Sequence, residues 1–165
     1  MRHADRPTIE EEIFVAAAPE RIWPLVSDIA LPVDPSTELQ SVEWESGADP
    51  EPAVGRRFVG TNRNKHFGEW QTTSTVTECD EPFTFAWAVG DLDEPNTAWR
   101  FTLRPEGDGT VVVQWAQLGF GDSGLHVAIK TLPDKEERIV ERRLEEFRAG
   151  MRANLEAIKQ AAEAG

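Results

Sequence analysis

The sequence predicts an α+β fold in which one antiparallel sheet of seven strands packs against a single long C-terminal helix. Two patterns and one junction carry that prediction. Between residues 39 and 118, large apolar side chains recur at every second position, the period of a strand with one buried face. From Val140 to Ala162 they recur at every third or fourth position, the period of an amphipathic helix. Gly107-Asp108-Gly109 is a tight-turn signal joining two of the alternating runs.

Residues 1–8 are polar and read as a flexible tail ahead of one domain spanning 9–165. Residues 9–15 are β-branched and form a first strand. Ala18-Pro19-Glu20-Arg21-Ile22-Trp23 opens a helix, with Pro19 suited to the first helical position and Glu20 to the positive end of the dipole. Pro24 removes a backbone donor, so this helix is expected to be short or kinked. Residues 31–37 hold two prolines and allow only a short second helix or a turn. Six strands follow, over 39–44, 55–64, 67–79, 83–89, 97–104 and 110–118. Asp134, with Glu137 three residues on, gives a capping-box-like start to a helix over 135–163. At 1.5 Å per residue that helix is roughly 40 Å long and needs a long partner surface, which only the strands supply. Neither an internal repeat nor a Gly/Ser-rich linker divides the chain.

Composition excludes several classes of function. The net charge of −13 repels phosphate backbones, so a nucleic-acid partner is not expected. No apolar run approaches the roughly 20 residues of a membrane span. The polar start offers no signal-peptide core, which leaves the cytoplasm as the expected location. Cys79 is the only cysteine and reads as a partly buried structural thiol. His3, His66 and His126 are far apart, in no metal-ligand spacing. No metal and no cofactor is implied. The acidity favours a monomer or weak homodimer.

Several stretches resemble one superfamily. Residues 15–28, beginning Val15-Ala16-Ala17-Ala18-Pro19-Glu20, look like its opening strand and helix. Gly55-Arg56-Arg57-Phe58 looks like its Gly-x-x-Phe strand entry. Trp70-Gln71-Thr72-Thr73-Ser74-Thr75-Val76, and residues 99–105 through Gly109-Thr110, look like its later strands. The chain thus resembles the START-like, or SRPBCC, helix-grip superfamily, and within it the bacterial polyketide cyclase/dehydrase-like group. The resemblance implies a curved sheet gripping the long helix around a cavity for a small hydrophobic ligand. It does not imply one chemistry, because carriers, sensors and enzymes share the scaffold. Two departures bear on it. The chain has no tyrosine, so an aromatase-type phenolic proton donor has no candidate, and its six tryptophans make the interior indole-rich.

Alternation assigns the cavity-facing set. It comprises Phe58, Gly60 and Asn62; Trp70, Thr72, Ser74 and Val76; Phe83, Phe85 and Trp87; Trp99, Phe101 and Leu103; and Val112, Gln114 and Ala116. A one-residue slip would invert any of these strands. From the helix, Phe147 lies on the apolar stripe and Arg143 at its border. The ligand-binding candidates are therefore Phe58, Asn62, Trp70, Thr72, Ser74, Phe85, Trp87, Trp99, Phe101, Gln114, Arg143 and Phe147. Taken singly, each aromatic reads as core and Arg143 as part of a solvated helix face. The polar hairpin 62–69 reads as a solvated turn, or as an enzyme site with His66 as base. The segment 121–133 reads as a loop gating the pocket, with Gly121 and Gly124 as pivots.

The expected function is binding of a small hydrophobic or aromatic molecule, polyketide-like or lipid-like, between sheet and helix. One alternative is a cyclase or dehydratase working in the same pocket, with His66, Asn62 and Gln114 as candidate catalytic residues. Another is a protein-interaction module whose tryptophans fill the core.

Overall fold

The computed structural model describes residues 2–33, 38–45, 51–119, 121 and 124–164. Seven strands form one antiparallel sheet: β1 (Thr8–Val15), β2 (Leu39–Trp44), β3 (Arg57–Asn64), β4 (Gly68–Asp80), β5 (Thr84–Gly90), β6 (Pro95–Glu106) and β7 (Gly109–Leu118). Across the sheet the order is β1-β7-β6-β5-β4-β3-β2, so successive strands from β2 to β7 are neighbours and β1 closes against β7. Among the described residues, three α-helices complete the fold: α1 (Pro19–Val26), α2 (Gly124–Thr131) and α3 (Glu136–Ala164). This is the α+β helix-grip arrangement that the two periodicities and the resemblance imply.

The register sorts side chains as the alternation predicts. Phe58 faces Ser74, Asn62 faces Trp70, Trp87 faces Trp99 and Phe101 faces Gln114. Register shifts between Val76 and Glu78 in the β4–β5 pairing, and between Leu39 and Ser41 in the β2–β3 pairing, mark bulges, which bend and twist strands. The curl is deep enough for both sheet edges to reach α3. On one edge, Glu11 of β1 pairs with Arg152 at 3.0 Å and Arg148 at 3.6 Å. On the other, Glu38, just before β2, pairs with Arg143 at 2.7 Å.

The second half of α3 closes a packed core. Leu155, Ile158 and Ala162 meet Val15, Ile22, Trp23, Val26, Leu103 and Val112. The end of α3 is tied down as well. Glu163 Oε2 accepts from the Ala16 N–H at 2.8 Å and from Lys159 Nζ at 2.7 Å, and these bonds hold the Glu163 carboxyl below its ordinary range. Cys79 packs against the same core, its Sγ 3.6 Å from the Pro52 carbonyl, and burial together with Glu81 and Asp80 raises its thiol pKa.

Several local expectations need correction. Phe83 lies in the turn before β5 and is 42% exposed, so it does not join the inward face. Where a short second helix or a turn was expected, a single 3-10 turn forms, Leu31–Val33, and residues 34–37 of that expectation lie outside the described residues. The gating loop contains a helix, α2, with residues 122–123 outside the described ones. Asp134 does not cap α3 but sits in a 3-10 turn, Pro133–Lys135, that leads into it. The expected tail is packed: His3 is 8% exposed, its Nε2 lies 2.6 Å from the Gly119 carbonyl, and Arg2 pairs with Glu136 at 3.0 Å. Among the described residues, no helix is long and apolar enough to cross a membrane.

Candidate functional site

A cavity of about 680 Å³ lies between the concave face of the sheet and the first half of α3. The sheet supplies its wall in rows, because residues paired across strands share a face. Asn62 and Trp70 form one row, Gly60 and Thr72 the next, and Phe58, Ser74 and Val89 the third. Deeper rows hold Trp87 with Trp99, then Phe85, Phe101 and Gln114.

On the helix side the cavity is bordered by Arg143, Glu146, Phe147, Met151 and Asn154 and by three small residues. Ala149, Gly150 and Ala153 face the cavity, and a Cβ built on Gly150 would meet nothing within 4 Å. Gly in a helix interior costs up to about 1 kcal/mol relative to Ala. Here it leaves space where a larger residue would fill the hollow. Gly60 does the same from the sheet, where an added Cβ would already come within 3.2 Å of Leu39 Cδ1 and 3.3 Å of Thr72 Oγ1.

The tryptophans do not fill this space. Trp87 and Trp99 stack on neighbouring strands, 6.3 Å apart and 13° from parallel, so they lie beside each other along the wall. Trp99 also meets Phe147 of α3 at 4.9 Å, which braces the wall against the helix. Trp70 stands edge-on to Phe67 at 6.2 Å, and Trp115 lies beneath the Arg100 guanidinium, 4.5 Å from its ring. The alternative of an indole-filled core is not what forms.

All twelve ligand-binding candidates border the cavity: Phe58, Asn62, Trp70, Thr72, Ser74, Phe85, Trp87, Trp99, Phe101, Gln114, Arg143 and Phe147. Of the other residues assigned inward, Gly60 borders it too, whereas Val76, Leu103, Val112 and Ala116 are buried in the packed parts. Among the three catalytic candidates, Asn62 and Gln114 border the cavity. His66 does not: it is exposed, with its backbone N–H turned back to Asn64 Oδ1 at 2.7 Å.

Arg143 sits in a polar cluster at the rim instead of on a solvated face, and its side chain is 10% exposed. Its two terminal nitrogens donate to Glu38 Oε1 at 2.7 Å and Oε2 at 3.0 Å, a bidentate pair. Glu146 lies 3.3 Å away on the other side. Asn64 Nδ2 donates to both carboxylates at 3.0 Å. The guanidinium also lies 4.5 Å from the Phe147 ring centre and 5.2 Å from that of Phe67. Phe67 itself abuts α2, where a Cβ on Gly124 would come within 2.8 Å of its ring. The cluster therefore joins the β2 edge, the β3–β4 hairpin and α3 around one opening.

Sequence reasoning missed Leu39 and Val42 of β2, the carboxylates Glu38 and Glu146, Phe67, and Asn154 of α3, all of which border the cavity. Asn154 left a readable signal, a polar residue on an otherwise apolar stripe with Met151, Leu155 and Ile158. It is 7% exposed, and its Nδ2 donates to Gln114 Oε1 across 3.4 Å. Its Oδ1 is buried with no hydrogen-bond partner among the described residues, a condition that costs about 1–3 kcal/mol. No group of three or more metal-ligating side chains occurs among the described residues.

The comparisons agree with this architecture. The model of the family described as "Polyketide cyclase / dehydrase and lipid transport" matches residues 6–163. A polyketide-cyclase-like protein, Cgl2372 from Corynebacterium glutamicum, is 29% identical, with a TM-score of 0.64 over 94% of this chain and 91% of that one. The di-domain aromatase/cyclases StfQ, of the steffimycin biosynthetic pathway, and BexL, of the BE-7585A pathway, share its fold at 16% and 17% identity. Their TM-scores are 0.72 and 0.71, and the match covers 98% and 96% of this chain but only 54% and 50% of theirs. No curated protein matches the chain. With the family model spanning nearly all of a helix-grip fold that encloses a cavity, the chain belongs to the polyketide cyclase/dehydrase and lipid transport family.

Proposed function

We propose that the protein binds a small, largely apolar aromatic molecule, polyketide-like or lipid-like, in the cavity between the sheet and α3. The observation that carries this reading is an open cavity of about 680 Å³ walled by aromatic rings, Trp87 and Trp99 stacked among them, with a few hydroxyls and amides. That composition suits a ligand held by burial of apolar area and oriented by a few polar contacts. Asn62, Thr72, Ser74 and Gln114 are the orienting groups. The same reading makes the protein cytoplasmic, a monomer or weak homodimer, with no nucleic-acid partner.

Native mass spectrometry of the purified protein, followed by solvent extraction, tests it. A stoichiometric apolar compound is the expected result. A bare polypeptide mass, together with no saturable quenching of tryptophan fluorescence by added fluorene, would overturn it.

A second reading, cyclase or dehydratase catalysis, has one observation in its favour. Glu38 and Glu146 flank Arg143 at the rim, where a carboxylate base and a guanidinium would meet a reactive chain entering the cavity. In that reading Asn62 and Gln114 orient the substrate and His66 takes no part. Turnover of a poly-β-ketone chain that Glu146→Gln abolishes without weakening binding is the result it requires.

A further inference from the structure

The buried face of α3 carries a charge. Of the residues buried along it, Val140, Phe147, Met151, Leu155, Ile158 and Ala162 are apolar and Asn154 is neutral, while Arg143 is a cation. Taking a guanidinium out of water is costly, and an apolar side chain of similar volume would rest on Phe67 and Phe147 without that cost. Stability alone is therefore a poor account of Arg143.

Its position is a better one. Arg143, Glu38 and Glu146 all border the cavity, yet the two carboxylate side chains are each 28% exposed, so the cluster stands where the cavity meets solvent. Arg63 and Lys65, exposed residues on either side of Asn64, border the cavity as well. At the deep end, by contrast, Phe85, Phe101 and Gln114 are buried. Two long-range links cross the mouth. Arg143 fastens α3 to Glu38, 105 residues away at the start of β2, and Glu146 fastens it to Asn64, 82 residues away in the β3–β4 hairpin. β2 is the edge strand, laddered to β3 alone. Its far end is anchored by Val42 and Trp44, which pack on the core, whereas its near end, Leu39, borders the cavity.

We infer that the Arg143–Glu38 pair is a latch across the mouth of the cavity: ligand enters and leaves when the pair parts and the Glu38 end of β2 moves off α3. This rests on the ligand-binding reading above and adds how that site opens. The chemistry suits a fastening that opens repeatedly. When the pair parts, Glu38 turns to water and Arg143 keeps Glu146, so neither charge is stranded. Being electrostatic, the latch is loosened by salt, as an apolar clasp would not be.

Stopped-flow tryptophan quenching by fluorene, an uncharged probe, tests the latch on the full chain through rates. Glu38→Gln is expected to raise the association and dissociation rate constants together, each on the order of tenfold, the rate worth of one lost bond between charged groups. Arg143→Met is expected to do the same, and the double variant no more than either alone, because the pair acts as a unit. Both wild-type rate constants are expected to rise between roughly 0.05 and 1 M sodium chloride, and those of Arg143→Met to stay level. Wild-type rate constants in both single variants, with fluorene still bound, would overturn the latch and leave the cavity reading standing. A rise confined to dissociation would make Arg143 a ligand contact and overturn the latch too. Binding that appears only in the variants would support a latch closed to this probe. Failure of every chain to bind would remove the cavity reading and the latch together. If Arg143→Met does not fold, Glu38→Gln and the salt dependence of the wild-type chain still decide.

Discussion

The two halves of α3 face the same curved sheet and pack against it differently. Toward its C-terminus, Leu155, Ile158 and Ala162 press into Ile22, Val26, Leu103 and Val112, and the interior is solid. Toward its N-terminus, Val140, Phe147 and Met151 pack on Ile9, Ala116, Leu118 and Leu125, but beside them Gly150 and Ala153 border a hollow. The sheet is no less apolar at the hollow end, since Phe58, Trp87, Trp99 and Phe101 stand there. Side-chain size on the helix decides which end closes. One half buries its apolar face throughout, while the other buries part of it and keeps the rest exposed to a ligand.

Three substitutions test that division. The largest effect belongs to the solid half. Ile158 is fully buried, and Ile158→Ala is expected to lower unfolding free energy by about 3 kcal/mol in urea denaturation while leaving fluorene affinity unchanged. A large loss of fluorene binding in that variant would mean that the two halves are one cooperative unit.

Gly150→Leu should do the reverse. The Cβ position is open, so the new side chain enters the hollow, and the helix gains propensity worth about 0.8 kcal/mol. Fluorene affinity is expected to fall by about tenfold or more with no loss of stability, as measured by titration and urea denaturation. Unchanged binding would show that ligands do not use the space beside the helix.

The smallest effect is at the end of the solid half. Because the Glu163 carboxyl is held below its ordinary range, its bonds to Ala16 and Lys159 stabilise the fold at neutral pH. That contribution is present above the unfolded-state pKa, about 4.3, and is lost as pH falls through the lowered folded-state value. Glu163→Gln is expected to melt slightly below wild type at pH 7, with the gap closing in acid. A gap that persists at the lowest pH reached would assign the effect to packing rather than charge.

Much of the architecture was legible because it follows from period alone. The alternation of Trp99, Phe101 and Leu103 and the stripe from Val140 to Ala162 fix the sheet face and the helix face without any long-range information. Phe83 escaped that logic because the chain turns at residues 81–83, before the strand begins. The Arg143–Glu38 pair joins residues 105 apart and exists only because the sheet curls. Charge alternation along α3 made Arg143 look like one more solvated partner. The hollow was hidden for a different reason. Ala149 and Ala153 are ordinary good helix formers, and nothing in a sequence separates an alanine that packs from one that leaves space. The orphaned amide of Asn154 needed the register of β7 opposite α3 before its missing partner could be noticed.

The pairing of β1 with β7 sets a schedule for folding. Thr8 meets Gln117 and Val15 meets Thr110, so the first strand synthesised has no partner until the last strand exists. Closing so long a loop is entropically slow, and ladders of this kind place a domain among the slower folders. The aromatic face of the sheet stays bare until α3, the final element, arrives to cover it. A nascent chain halted before α3 would therefore present Phe85, Trp87, Trp99 and Phe101 to its neighbours, and aggregation from that intermediate would compete with completion of the grip.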